Sequence, residues 1–319
     1  MPMRTEEELE LVRVGPGTPS GEVFRRYWLP VEVSANLGGA QGNSFSGARN
    51  PIRVKMLGEN LLLFRDSCRR PHLLFEHCAH RGTSLFYGRV EGDCIRCLYH
   101  GWLYDGDGNV VEMPGEPPDS RFNEKVKQPA YPCVEVGGLI FAYMGPPALM
   151  PVFPRYHQLF STRGIRVNGN GGYTEHCNVF QSLHDNNLDP WHGEIAHGWF
   201  RSTPIEGTMH WGGNGELATP LKFERTPWGT RMVVLKTKYE HPAAYEYHET
   251  HTVWPAQRCN FSGARSMKWA IPVDDIHTRW FTVDFFPFDA DGNLPREAQR
   301  AVEQMNNPMP NSGHANDLP

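Results

Sequence analysis

The chain is poor in everything that would place it in a membrane, in an oxidised scaffold or on a nucleic acid. No apolar run approaches the roughly 18 residues that a membrane span needs. The longest apolar piece, GLIFAYMG from Gly138, is of strand size. The first twelve residues, MPMRTEEELELV, are acidic and carry no apolar core, which speaks against a secretory signal. Seven cysteines in 319 residues are too few for a disulfide framework, and the number is odd. Positive charge is also short: 31 Lys and Arg stand against 36 Asp and Glu, a formal net charge of −5. That balance argues against a nucleic-acid footprint or a polybasic membrane anchor. A cytoplasmic chain is expected, in which cysteines bind metal or pack.

What is present is globular: 39% hydrophobic and 21% charged residues, and length for about two domains. The chain opens on helix and turn, with Ser20 as expected cap of GEVFRRYW, followed by a Gly/Ser/Asn loop from Gly38 to Asn50. From Pro51, short apolar pieces (Ile52, Val54 and Met56; then 61–64 and 73–75) alternate with turn signals such as DGDGN at Asp105. This texture predicts a small β-sandwich over about 45–145. Gly145-Pro146-Pro147 reads as a linker. Beyond it, one helical stretch near 176–197 precedes strands at 231–238, 245–254 and 280–286, then a helix starting at Pro295. Strands with few helices make the fold class α+β.

Two pairs of soft and borderline ligands stand out. Cys78-Ala79-His80 and Cys97-Leu98-Tyr99-His100 are separated by sixteen residues. Two Cys and two His suit a structural zinc. The order does not, because zinc sites usually group their cysteines and their histidines. In a Rieske [2Fe–2S] centre two cysteines hold one iron and two histidines the other, so each loop supplies one of each. Cys94-Ile95-Arg96-Cys97 imitates a redox CxxC, but Cys97 cannot serve both roles, and Cys94 is read as a bystander. Cys68, Cys133, Cys177 and Cys259 are read as buried small hydrophobes. Arg69, Arg70, Arg89 and Arg96 lie near these loops, as a solvated surface or as a dock for an acidic partner.

A second constellation lies in NVFQSLHDNNLDPWHGEIAH, residues 178–197. Asp185, Asp189 and His192 fall on one helical face at i, i+4 and i+7. His197 lies about 140° further round, so convergence with His192 needs the break that Pro190 and Gly193 supply. Two imidazoles of a 2-His-1-carboxylate iron(II) site are one reading, and a polar surface helix is the other. His248 and His251 alternate across a strand and do not share a metal. The aromatics Trp280, Phe281, Phe285, Phe286 and Phe288 are read as core.

Taken with Arg81-Gly82 and Gly101-Trp102, the loops spell CAHRG and CLYHGW, and the chain resembles the Rieske non-haem iron oxygenases, alpha subunits of the phthalate dioxygenase type. The resemblance covers about residues 15–290. It implies an N-terminal segment (1–44) packing with the catalytic domain, a Rieske domain (45–145) and a helix-grip catalytic domain (146–319) lacking its C-terminal part. It implies that Cys78, His80, Cys97 and His100 hold the cluster and that His192 and His197 ligate Fe(2+). Asp189 would bridge His192 to His100 of a neighbouring subunit, with Asp185 in a supporting role. The third, carboxylate ligand has no match: Asp284 alternates within a strand and Asp289 and Asp291 sit in a turn. An absent C-terminal helix is the favoured explanation. The implied partners are a flavin-containing reductase, directly or through a ferredoxin, O2 and a small organic, aromatic substrate, in a homotrimer. The implied reaction is mono- or cis-dihydroxylation or demethylation. The alternative is a Rieske electron carrier without working mononuclear iron.

Overall fold

The computed structural model describes residues 5–39, 49–185, 218–238, 241–253, 255–260, 266–296, 298, 299 and 302. Helix α1 (Glu6–Val12) begins on a capping box, in which the Thr5 hydroxyl accepts from the Glu8 amide and the Glu8 carboxylate accepts from the Thr5 amide. Helix α2 (Pro19–Phe24) is capped by Thr18, whose Oγ1 accepts from the Gly21 amide. Ser20, the expected cap, lies inside the helix. Pro19 explains the shift, since a residue without an N–H suits the first helical position.

Eighteen strands follow in the described residues: β1 (Trp28–Val33), β2 (Ile52–Met56), β3 (Glu59–Arg65), β4 (Pro71–Phe75), β5 (Arg89–Glu91), β6 (Cys94–Arg96), β7 (Leu103–Asp105), β8 (Val110–Glu112), β9 (Ala130–Tyr131), β10 (Cys133–Val136) and β11 (Leu139–Tyr143) in the first half, then β12 (Gly164–Glu175), β13 (Ala218–Thr226), β14 (Gly229–Lys238), β15 (His241–Val253), β16 (Gln257–Asn260), β17 (Ser266–Asp274) and β18 (His277–Pro287). They form sheets β1-β11-β10, β2-β3-β4-β9, β5-β6-β7-β8 and the seven-stranded β12-β18-β17-β16-β15-β14-β13. Every ladder is antiparallel, which with few short helices gives an α+β fold.

Strand β3 explains the architecture of the first half. Its run of apolar residues is buried on both faces. Leu61 and Leu63 enter one core, and Leu62 and Phe64 enter another. In β4, Leu73 and Leu74 divide in the same way. A strand between two cores has no face for polar residues, so alternation disappears from its sequence. The smaller core holds Cys78, Cys97, Trp102 and Tyr104, and so carries the two Cys/His loops.

The seven-stranded sheet turns its faces to different neighbours. One face, with Met267, Trp269, Phe281 and Val283, joins the core built on β1 and β11. On that side Arg279 donates from Nη2 to both carboxylate oxygens of the buried Glu32 at 2.8 and 3.0 Å. Asn168 donates there to the Gly138 carbonyl. The other face meets the segment after β12. Thr278 donates to the Cys177 carbonyl at 2.9 Å, and the Trp280 indole donates to the Ser182 hydroxyl at 2.7 Å. Ser182 belongs to a π-helical turn, Gln181–Asp185, that leads into the expected iron motif. The β17–β18 hairpin also reaches the first half. Leu57 and Gly58 donate to the carbonyls of Pro272 and Val273, and Lys55 pairs with Asp274 at 2.8 Å. Burial raises the Asp274 pKa, but bonds from Lys55 and His277 outweigh it and hold the carboxyl at about 2.

Candidate iron–sulfur centre

The two ligand loops are built on one plan. In the first, the Cys78 amide donates to the Thr83 carbonyl at 2.9 Å and the Gly82 amide to the Cys78 carbonyl at 2.8 Å. In the second, Cys97 donates to Trp102 at 2.8 Å and Gly101 to Cys97 at 3.1 Å. The residue four after each cysteine is a glycine in the left-handed region, φ +71° and +75°. That conformation is open to glycine and strained for most residues. Each turn therefore tucks a cysteine under the loop and lifts the histidine to its tip. Cys78 and Cys97 are 4% and 3% exposed, whereas His100 is exposed and His80 half-buried.

The side chains of the two loops come together. The His80 and His100 rings lie 4.7 Å apart, and His80 stacks on Trp102 at 4.5 Å with an interplanar angle of 6°. The two thiols are free and interact with each other. Burial pushes the Cys97 thiol up, while amide donors of Tyr99 and His100 aimed at its sulfur pull it back. Burial, then His100 and Arg81, lower the His80 pKa and favour the neutral ring that a metal ligand requires. Two adjoining buried sulfurs with amide donors face two imidazoles near the surface. That donor set fits a [2Fe–2S] cluster in which the two thiolates hold the inner iron and the two imidazoles the outer.

Supporting contacts were not read from the sequence. Gln128 accepts from the Ala79 amide and donates to the carbonyls of Phe75 and His77, which fixes the first loop. Arg96 donates to the Gly101 carbonyl and pairs with Glu91 and Glu112, which fixes the second. Arg96 is thus structural, and Arg70 and Arg89 are likewise paired with acids. The Tyr104 hydroxyl lies 3.0 Å from Cys78 Sγ. Once that sulfur is a metal thiolate, only the phenol can donate. The bond then favours the more negative, reduced cluster. Tyr104→Phe is expected to lower the reduction potential by about 40 mV, the one-electron equivalent of roughly 1 kcal/mol. An EPR-monitored redox titration checks this, and an unchanged potential would show that the bond is not made to cluster sulfur.

Other cysteines divide. Cys133 and Cys177 are half-buried, but Cys68 is exposed, contrary to expectation, on the turn after β3. Cys68 sits near Asp66 and Asp93, whose carboxylates are already taken by Arg70, His72 and Ser67. Asp189, His192 and His197 lie outside the described residues, as do the side chains of Asp185, His248 and Cys259.

Residues 39–132 match the Rieske [2Fe-2S] domain family. Paired Cys/His loops on a small β-sandwich thus define the class of this half of the chain. The wider similarity covers nearly all of it. The chain is 33% identical over 313 residues to the tert-butanol monooxygenase / tert-amyl alcohol desaturase oxygenase subunit of Aquincola tertiaricarbonis, covering 93% of this chain and 64% of that protein. It is 44% identical over 202 residues to the phenoxybenzoate dioxygenase alpha subunit of Ectopseudomonas oleovorans, covering 60% and 47%. It is 34% identical over 293 residues to the phthalate 4,5-dioxygenase oxygenase subunit of Pseudomonas putida, covering 86% and 63%. Dicamba monooxygenase shares the fold at TM-score 0.67 and 16% identity, over 89% of this chain and 83% of that one. A carbazole 1,9a-dioxygenase oxygenase, solved with its ferredoxin, does so at 0.59 and 19%, over 90% and 76%. The chain thus carries a Rieske domain and is similar over nearly all its length to alpha subunits of Rieske non-haem iron oxygenases. It spans about half to two thirds of the length of these curated relatives.

Proposed function

We propose that the chain is the terminal oxygenase of a Rieske system, acting on an organic, aromatic substrate. The observation that carries the reading is the pair of matched loops bringing Cys78, His80, Cys97 and His100 together, with the histidines toward the surface. Imidazole in place of thiolate raises the potential of such a cluster, so it accepts electrons readily. The exposed Leu98, Tyr99 and His100 give an electron donor or a neighbouring subunit access to the cluster edge. A flavin-containing reductase, directly or through a ferredoxin, is the proposed donor, and the relative solved with a ferredoxin supports it.

His192 and His197 are the proposed iron(II) ligands, and the iron they hold supplies dioxygen activation. Asp189 is the proposed carboxylate that holds the outer N–H of His192 and, across a subunit boundary, that of His100. A ring, most simply a homotrimer, is the assembly in which such a bridge recurs at every boundary. The names of the relatives, among them phenoxybenzoate and phthalate dioxygenases, support aromatic substrates and either mono- or dioxygenation. The division into a Rieske part to about residue 145 and a catalytic part beyond it belongs to the same proposal.

The test is a count of metal and sulfide on anaerobically purified protein. About three irons to two acid-labile sulfides, with a Rieske EPR signal after dithionite, is expected. About two irons to two sulfides, unchanged by anaerobic addition of iron(II), would instead make the chain an electron carrier.

A further inference from the structure

Two histidines that the oxygenase reading does not use meet at one end of the β12–β18 ladder. The last paired residues there are Glu175 and Thr278. One step further along the same register, His176 stands opposite His277, on the side of the sheet that also carries Arg279. The two imidazole rings lie 5.1 Å apart between centroids, at 70° to each other. Two imidazoles on one tetrahedral zinc, each nitrogen about 2.1 Å from the metal, place their centroids about 5 Å apart. The cluster pair, His80 and His100, is similarly spaced at 4.7 Å. His176 is exposed and His277 half-buried, so a cation reaches both from solvent.

The surroundings of His277 set its tautomer. Its Nδ1 lies 2.8 Å from Asp274 Oδ1. Burial raises the Asp274 pKa, but bonds from Lys55, His277 and the Ile276 amide keep that carboxyl charged, and a charged carboxylate only accepts. Nδ1 therefore donates, and Nε2 of the neutral ring carries the free lone pair. A carboxylate on the far nitrogen is the usual support of a metal-bound histidine, because it fixes the ring and raises its basicity. Asp274 is itself fixed: Oδ2 accepts from Lys55 at 2.8 Å and Oδ1 from the Ile276 amide at 3.1 Å. The adjoining Asp275 accepts from the Val14 amide at 2.8 Å, which anchors the same turn. Two carboxylates against one lysine leave the turn with a charge that favours a cation.

We propose that His176 and His277, with Asp274 behind His277, bind a divalent transition metal of the zinc class. Imidazole suits zinc, copper and nickel, whereas magnesium and calcium prefer oxygen ligands. Two protein ligands leave the other positions to water, so the metal exchanges and is not sealed in. Bound there, it clips the end of β12 to the start of β18. The stretch that follows His176 bonds to Thr278 and Trp280 and leads toward the expected iron motif. Metal at the pair thus steadies the approach to that motif from outside it. The inference does not depend on oxygenase activity.

The probe is zinc, titrated calorimetrically into the full chain loaded with iron and cluster. Zinc also competes for the proposed site at His192 and His197, so the reading is the difference between wild type and variants altered at the pair alone. Wild-type protein is expected to take up one zinc per chain more than His176→Ala or His277→Ala. Asp274→Asn, which keeps the shape, is expected to weaken that zinc about tenfold. Zinc is also expected to raise the melting temperature of wild type more than that of either histidine variant. The cluster's visible spectrum reports that each variant is folded. Equal zinc uptake by wild type and both histidine variants, or its loss in only one of them, would overturn the proposal. Unchanged affinity in Asp274→Asn would remove the carboxylate from it.

Discussion

Cys97→Ala is expected to give a colourless protein, with labile sulfide near zero and no Rieske EPR signal, while Cys94→Ala keeps its colour, its sulfide and its signal. The two cysteines stand three residues apart, and both invite a metal or redox reading from sequence. Their surroundings separate them. Cys97 is 3% exposed, touches the Cys78 thiol and receives amide donors from its own loop. Its loss leaves one iron with a single thiolate, which does not hold a [2Fe–2S] cluster. Cys94 sits in β6, where burial and then Asp105, Asp93 and Glu112 push its thiol up. That is the opposite of the electropositive setting that activates a dithiol. A cluster held by both loops would tie them together, so its binding energy would be folding energy, and Cys97→Ala is expected to melt well below wild type. Iron and sulfide analysis beside a thermal melt decides the matter. A cluster retained in Cys97→Ala would refute the ligand assignment.

Much of this centre was legible because its information is local. A Cys, a His and a Gly within five residues encode a whole loop, and the second loop repeats the plan. The buried strand β11 was legible too, from the apolar run between Gly138 and Gly145. Other features depend on partners far along the chain. Arg279 and Glu32 are 247 residues apart and share no pattern. Gln128, which fixes the first ligand loop, carries no local mark of that task. Cys68 was misread because a small apolar side chain suits a core and a turn equally, and only the neighbouring Asp66–Arg70 ion pair defines the turn. The apolar stretch of β3 signalled burial, but not that its residues divide between two cores. For the expected iron ligands, spacing remains the guide, since 186–217 lie outside the described residues.

Spacing is nevertheless enough for the second large effect. Asp189→Ala is expected to keep the full metal content and the cluster's EPR signal, yet to lose about 100-fold or more in substrate-dependent oxygen uptake. The argument begins with the imidazole. A ligand histidine needs its second N–H held, and a carboxylate holds it best, fixing the ring and raising its basicity. Asp189 is three residues before His192, one helical turn, where a side chain can reach the ring. The described part of the segment is firmly placed. Asn178 donates to the carbonyls of Val12 and Asp275, and Ser182 receives the Trp280 indole. The turn leading to Asp189 is therefore anchored on both the N-terminal segment and the sheet. If Asp189 only supported the fold, Asp189→Asn, nearly identical in shape, would restore activity. If it also bridges His192 to a subunit's His100, charge and acceptor geometry both matter, and Asn stays nearly as inactive as Ala. Rapid-mixing reoxidation of the prereduced cluster distinguishes the two. A slow cluster beside intact iron content identifies the bridge, and wild-type reoxidation with wild-type turnover in Asp189→Ala removes it.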